Sequence, residues 1–413
     1  VYLAVNLEKA IDACYKSLQV MSREVMPIEW AKSMMNLANA YLQRIRGDRA
    51  DNIEQAIDVY KQSLQVRTRE AMPTECRQTS RSLANLLADE SRWQEAAPAY
   101  AQALAATEDL YNAALFKASQ TSELAEANDL FRRAAYAYAQ IDDLSNAIAT
   151  LEQGRARSLR ETLERDRADL SAIETEYPEL YERYQTAAET IRALEITERS
   201  QNPDSLTFSF ADLRDQALQS RTDLNSAIAD IRQLPGYETF LTLPTFDDVA
   251  ATVQPGQSLV YLVATPNGSL ALILHRTPTD KVEIHSVSLD STQAQLRELL
   301  VGLPDQETMT GWFSAYTNRQ KDRAQWLQVI DFTTQKLWQP IMAPLFAALT
   351  NLNLAQATLI PSGLLSFLPL HAAWTEDTSC PTGRRYACDH IHFSYTPSAT
   401  ALRTACKIAA NTS

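Results

Sequence analysis

Residues 6–30, NLEKAIDACYKSLQVMSREVMPIEW, return 46 positions later at 52–76 as NIEQAIDVYKQSLQVRTREAMPTEC, with 14 of 25 positions identical. The shared residues include Ala10/Ala56, Leu18/Leu64, Arg23/Arg69 and Pro27/Pro73. The segments that follow also align, MNLANAYLQ (35–43) against RSLANLLAD (81–89). One helix pair cannot bury its apolar stripe alone, so a repeat of this length must stack on its neighbours as a solenoid. A weaker copy, WQEAAPAYAQALAA (93–106), and a fourth helix pair at 134–159 extend the array. Ala10, Ala38, Ala56 and Ala84 are expected where two helices approach closely, with Leu18, Leu37, Leu64 and Leu83 filling the spaces between. The sign-alternating stretch QRIRGDRADN (43–52) is expected to be a solvated, extended loop between the two helices of a pair.

Helical periodicity continues past the repeats. RARSLRETLERDRADL (155–170) reads as a charged helix with Leu159, Leu163 and Leu170 on one side. Two long helices then form an antiparallel hairpin, the first opening at Pro178, the second carrying Leu213, Ala217, Leu224, Ile228 and Ile231 and stopping at Pro235-Gly236. From 258 the period changes to that of strands. SLVYLVAT (258–265), LALILHRT (270–277) and VEIHSVSL (282–289) are three strands, the first two joined at Asn267-Gly268. Asp290 or Ser291 caps a helix, TQAQLRELLVGL, and a longer helix covers roughly 322–349 with Trp326, Ile330, Leu337 and Ile341 on one face. ATLIPSGLLSFLPLHAAW (357–374) then gives a buried strand over Ala357–Ile360, a turn at Pro361-Ser362-Gly363 and an apolar segment beneath the sheet.

The chain's 413 residues imply two or three domains, and 45% apolar content supports real cores. A net charge of −13 argues against nucleic acid or an anionic membrane surface as partner. There is no run of 18 apolar residues and no basic, apolar leader at the first residues. Five scattered cysteines fit reduced thiols and a cytoplasmic setting, with Cys14 and Cys76 as small core residues.

The repeats resemble a tetratricopeptide array, of a style common in cyanobacterial proteins. The tract at 357–374 with HFSYTPSATALR (392–403) resembles the start of a CHAT domain, the caspase-like module found attached to such repeats. The matching positions are Pro361, Gly363, Leu364, Leu368, Pro369, Tyr395, Pro397 and Ser398. The resemblance implies a multidomain chain: an all-α tetratricopeptide solenoid over 1–160, a helical connector over 161–236, and an incomplete α/β caspase-like domain over 237–413. It implies a protein or peptide partner on the concave face of the repeats, with possible self-association through the α/β part. Relatives of this type use a His–Cys dyad, because an adjacent imidazole sustains the nucleophilic thiolate. Neither a His-Gly nor a Ser-Ala-Cys context occurs here. The chain is therefore expected to be truncated before the dyad and to act as an interaction and regulatory protein. The alternative is a fragment or half of a caspase-like cysteine endopeptidase.

None of the candidate residues is assigned as catalytic, cofactor-binding or metal-binding. His390 and His392 alternate on a strand, one inward and one facing solvent; with Cys380 and Cys388 they are also ligand types, but their spacing matches no standard zinc pattern. Cys406 lies in a helix opened by Pro397-Ser398, His371 is a helix-terminus or core residue, and Ser362 is a turn residue. No Gly-x-Ser-x-Gly elbow and no phosphate-cradling glycine loop occur.

Overall fold

The computed structural model describes residues 2–114, 117–167, 170–200, 210–238, 240–302 and 311–412. The chain divides into two compact units, one of residues 1–83, 101–128 and 157–243, the other of 84–100, 129–156 and 244–413.

In the first unit, α1 (Tyr2–Val20), α2 (Pro27–Gln43), α3 (Arg49–Ser63) and the start of α4 (Pro73–Asp89) are the two sequence copies. The repeated prolines open α2 and α4, where a missing N–H costs nothing and the fixed φ already suits a helix. Ala31, Ala38 and Ala56 are fully buried, as close helix contact demands. Ala10 is exposed on α1, so that repeated alanine is a packing residue only in the second copy. Ser63 Oγ donates to the Ala31 carbonyl at 3.0 Å, and Tyr60 Oη donates to Asn39 Oδ1 at 2.6 Å. Asn39 returns in the repeat as Asn85, which accepts from Tyr100 Oη at 2.8 Å within the second unit. A helix of one repeat thus takes a hydrogen bond from a buried tyrosine on the next, and the coupling recurs.

The segment 43–52 is not an extended intra-pair loop. Only Arg44–Asp48 separate α2 from α3, and they join one pair to the next. Asp48 caps α3 by accepting from the Ala50 and Asp51 amides, while Arg44 grips Glu8 through two 2.9 Å bonds. The extra repeat length sits instead in the α3–α4 turn, 64–72, and in helices of 15 to 19 residues.

The connector is helical as expected: α8 (Ser171–Glu176), α9 (Pro178–Ser200) and α10 (Phe210–Ile231). Arg183 near the start of α9 pairs with Asp230 near the end of α10, which fixes the hairpin as antiparallel. Tyr184, Ala187, Ile191, Leu224, Ala227, Ile228 and Ile231 are its core. The side chains of Leu159, Leu163 and Leu213 lie outside the described residues.

Burial pushes Tyr60 and Tyr100 up to about 12. Above the ordinary value near 10 the unfolded chain loses these protons while the folded chain keeps them, so the unfolded state binds fewer protons and stability falls as pH rises from about 10 toward 12. Circular dichroism melts across that window are expected to show a progressive drop, smaller in Tyr60→Phe and Tyr100→Phe.

The second unit combines helix segments from 84–100 and 129–156 with the α/β part. α5 (Trp93–Ala113), α6 (Lys117–Gln140) and α7 (Leu144–Arg167) contribute the helices, and α11 (Phe246–Ala250) leads into the sheet. The sheet order is β3-β2-β1-β4-β7, from β1 (Ser258–Thr265), β2 (Gly268–Arg276), β3 (Val282–Leu289), β4 (Gln356–Pro361) and β7 (His392–Tyr395). β1, β2 and β3 pair antiparallel, whereas β1, β4 and β7 run parallel. β1 is buried along its whole length because both faces are covered. One face packs on Ala135, Ala147, Ile148 and Leu151 of α6 and α7. The other packs on α12 (Gln293–Val301), α14 (Arg323–Leu337), the turn Trp338–Met342 and α15 (Ala343–Asn351), with α13 (Trp312–Asn318) alongside α14. A ribbon of β5 (Trp374–Glu376) and β6 (Arg384–Tyr386) precedes β7, and α16 (Ala399–Thr412) follows it.

One helix expectation is corrected. Thr292, not Asp290 or Ser291, caps α12 in a reciprocal capping box with Gln295. The helix over 322–349 runs unbroken through 323–351 but is widened around Pro340, which lacks an N–H and crowds the preceding turn. The backbone widens into a π-helical turn in which the Ala343 amide reaches the Trp338 carbonyl. The Pro340 carbonyl then accepts from the Asp290 amide at 2.9 Å. Among the described residues no helix is long and apolar enough to cross a membrane.

Candidate functional site: the carboxyl edge of the sheet

Parallel β1, β4 and β7 align their carboxyl ends along one edge, where open α/β sheets gather their functional groups. After β4, Ser362 leaves the sheet with its amide and Oγ both donating to the Leu262 carbonyl, at 2.9 and 2.7 Å. Gly363 takes φ +57°, and the Arg132 guanidinium of α6 lies where a side chain would start, 3.1 Å from an added Cβ. The chain then makes two 3-10 turns, Gly363–Phe367 and Leu370–Ala372, which place Leu365, Leu368 and Leu370 in the core. The Pro-Ser-Gly and Leu-Pro signature is thus a sharp exit from a strand followed by a return beneath the sheet. One α-helical turn further along α6, Tyr136 Oη sits 2.3 Å from an added Cβ on Gly268, at the β1–β2 hairpin.

After β7, the Tyr-x-Pro-Ser segment opens α16. Ser398 Oγ accepts from the Ala401 amide at 3.1 Å, an N-cap bond. The amides of Ala399 and Thr400 are satisfied by Glu152 of α7, whose Oε2 and Oε1 accept them at 3.1 and 2.8 Å. Tyr261 Oη of β1 donates to the same carboxyl at 2.7 Å. Glu152 is 1% exposed. A negative group at a helix N-terminus is favourable, and its burial is supported by three donors. Burial, reinforced by the neighbouring Glu152 charge, pushes Tyr261 well above the ordinary tyrosine range, so it stays a donor. Arg155, one turn on from Glu152, donates to the Pro397 carbonyl at 2.6 Å, and burial lowers its guanidinium.

Nothing in the sequence pattern singles out Glu152, and Arg155 falls there within the charged helix of 155–170. Glu152 stands four residues after Ile148 and next to Leu151, within a helical stripe that is otherwise apolar. Its neighbour Gly154 marks the close approach of α7 to α6, since an added Cβ would lie 2.5 Å from Phe131 Cγ and 2.6 Å from its Cβ. Alanine favours a helix over glycine by about 1 kcal/mol, but overpacking a core costs about 1–3 kcal/mol. Gly154→Ala is therefore expected to lower the melting temperature by a few degrees in calorimetry.

The candidate residues fall on several elements. His390 follows a 3-10 turn, Ala387–Asp389, instead of alternating with His392 on a strand, and both histidines are exposed. His390 packs edge-on to Phe346. Cys388 is exposed on that turn, Cys380 lies in the β5–β6 loop, and Cys406 is exposed on α16. Cys76 is buried and Cys14 half-buried, and burial raises both thiols. Among the described residues no cysteine sulfur is hydrogen-bonded to an imidazole.

His371 is the middle residue of the second 3-10 turn. Its backbone amide donates to Tyr395 Oη at 3.0 Å, and its Nδ1 lies 3.0 Å from the same oxygen. Burial raises Tyr395 above the ordinary tyrosine range. The pair anchors the segment after β4 to β7.

The edge thus defines a sheet whose carboxyl end is filled by side chains of helices that precede it. Residues 332–413 match the model of the CHAT domain family. The matched stretch contains β4, the Pro-Ser-Gly exit, β7 and the capped start of α16. A comparison with curated proteins returned no match.

Proposed function

We propose that this chain is a protein-interaction and regulatory unit of the tetratricopeptide–CHAT type, catalytically incomplete as a peptidase. In this reading the helical repeats take a protein or peptide on their concave face, in a cytoplasmic setting, and the α/β part transmits or reports that binding. The observation that carries it is Glu152: a residue of the repeat helices completes the helix-opening segment of the CHAT-matched stretch. The inactive half of the reading rests on the sequence, in which neither a His-Gly nor a Ser-Ala-Cys context occurs, since a cysteine nucleophile needs an adjacent base.

The second reading, one half of a caspase-like cysteine endopeptidase, draws support from β7, which has a partner on only one side among the described residues. An open strand edge is a template for another chain. Light scattering across tens of micromolar is expected to show concentration-dependent self-association that Phe393→Lys or Ser394→Pro reduces. A monomer throughout would remove β7 as a contact. The interaction reading itself is tested by selecting peptide ligands against the full chain and mapping them by hydrogen exchange. Protection over residues 27–113 is expected; protection confined to 244–413 would contradict it.

A further inference from the structure

At the opposite end of the sheet a second cluster lies outside everything above. His275 on β2 faces Glu283 across the ladder and His285 on the diagonal, all three on the face that carries the α12–α15 core. The two Nε2 atoms are 3.0 Å apart and the rings are nearly parallel, 16° between planes. A Glu283 carboxylate oxygen lies 3.9 Å from His285 Nε2, and the three ligand atoms fall within 4.8 Å of one another. His275 is 8% exposed, while Glu283 and His285 are half-exposed.

We propose that His275, Glu283 and His285 bind a divalent first-row transition-metal ion of the zinc class. Two imidazole nitrogens and a carboxylate are the donor set such ions prefer, and three protein ligands leave a fourth position for water. Ligand nitrogens about 2.0–2.1 Å from a tetrahedral zinc ion stand roughly 3.3 Å apart, so the pair needs to open by only a few tenths of an ångström. The ladder register between β2 and β3 holds all three residues in place without a loop. Facing Nε2 atoms can otherwise share a single proton, and the ion replaces that proton. Sequence analysis assigned no metal ligand here; the signal was the Glu-x-His alternation on one strand opposite a histidine on its hairpin partner.

Because β3 is the outermost strand among the described residues, the ion ties that edge to β2, which gives a readout independent of any activity. The full chain is titrated with Zn²⁺ by calorimetry and with Co²⁺ by visible absorption, alongside His285→Gln, His275→Gln and Glu283→Gln. One equivalent is expected to bind at micromolar or lower concentration, with no thiolate-to-cobalt band in the near ultraviolet. Loss of either histidine is expected to weaken binding at least about 100-fold, and loss of the carboxylate about tenfold. Zinc is expected to raise the melting temperature of the parent chain and slow exchange of the β3 amides, and to do neither in His285→Gln. That variant is half-exposed and is checked for an unchanged circular dichroism spectrum. Absence of binding below millimolar zinc, or binding that persists in His285→Gln and disappears when Cys380, Cys388 and Cys406 become serine, overturns the proposal.

Discussion

Replacing Glu152 by alanine is expected to free the start of α16 and destabilise the second unit by about 3–5 kcal/mol, the cost of breaking a buried, hydrogen-bonded charge. The substitution removes the acceptor for the Ala399 amide, the Thr400 amide and the Tyr261 hydroxyl together. A buried donor left without a partner costs about 1–3 kcal/mol, and Ser398 still caps only the Ala401 amide. A unit of this size loses about 2–4 °C per kcal/mol, so its melting transition falls on the order of 10 °C. Amide exchange at the first turn of α16 is expected to accelerate before the rest of the unit does. Tyr261→Phe removes one of the three donors and is expected to cost less. The double variant Glu152→Ala/Tyr261→Phe is expected to be less destabilised than the sum of the singles, because the orphaned hydroxyl is gone. Strict additivity would mean that the two groups are not coupled.

Leu359→Ala should be comparably damaging for a different reason. Leu359 is fully buried on β4, opposite Val260 on β1 and Tyr395 on β7. Its cluster includes Leu365, Leu368 and Leu370, the apolar residues of the segment that returns beneath the sheet. Truncation opens a cavity at the seam where that segment packs, and buried Leu→Ala changes cost about 2–5 kcal/mol. Leu327→Ala serves as control, since Leu327 is 54% exposed and such surface changes fall within about 0.5 kcal/mol. Because the chain has two units, hydrogen exchange resolved by segment is the appropriate measurement. Loss of protection is expected across β1, β4 and β7, with 27–63 unaffected.

Much of this architecture was legible from periodicity. The duplicated segment predicts stacked helix pairs because its small residues recur at helical spacing, and Ala38, Ala56 and Ala84 are buried accordingly. The shift to period two at 258 predicts β1 and β3 with their observed ends. Local chemistry overrode pattern in two places. Pro340 widens the long helix by a π turn, and Asp48 shortens an expected loop by capping α3 early. The carboxyl edge was not legible, because it joins residues 247 and 248 positions apart: nothing local to Glu152 names Ala399 and Thr400 as its donors. The signature residues Pro361, Gly363 and Ser398 were visible, but their neighbours at the edge, Arg132 beside Gly363 and Glu152 beside Ser398, come from another part of the chain.

The central functional claim is that no thiol of this chain works with an imidazole. The direct test exposes the full chain to a peptidyl electrophile that labels activated cysteines, with intact mass and peptide mapping as readout and a fluorogenic peptide panel beside it. Cys380, Cys388 and Cys406 are expected to react no faster than free cysteine, and no peptide is expected to be cleaved. A single thiol labelled orders of magnitude faster, whose serine variant also abolishes cleavage of a peptide from the panel, would contradict the account.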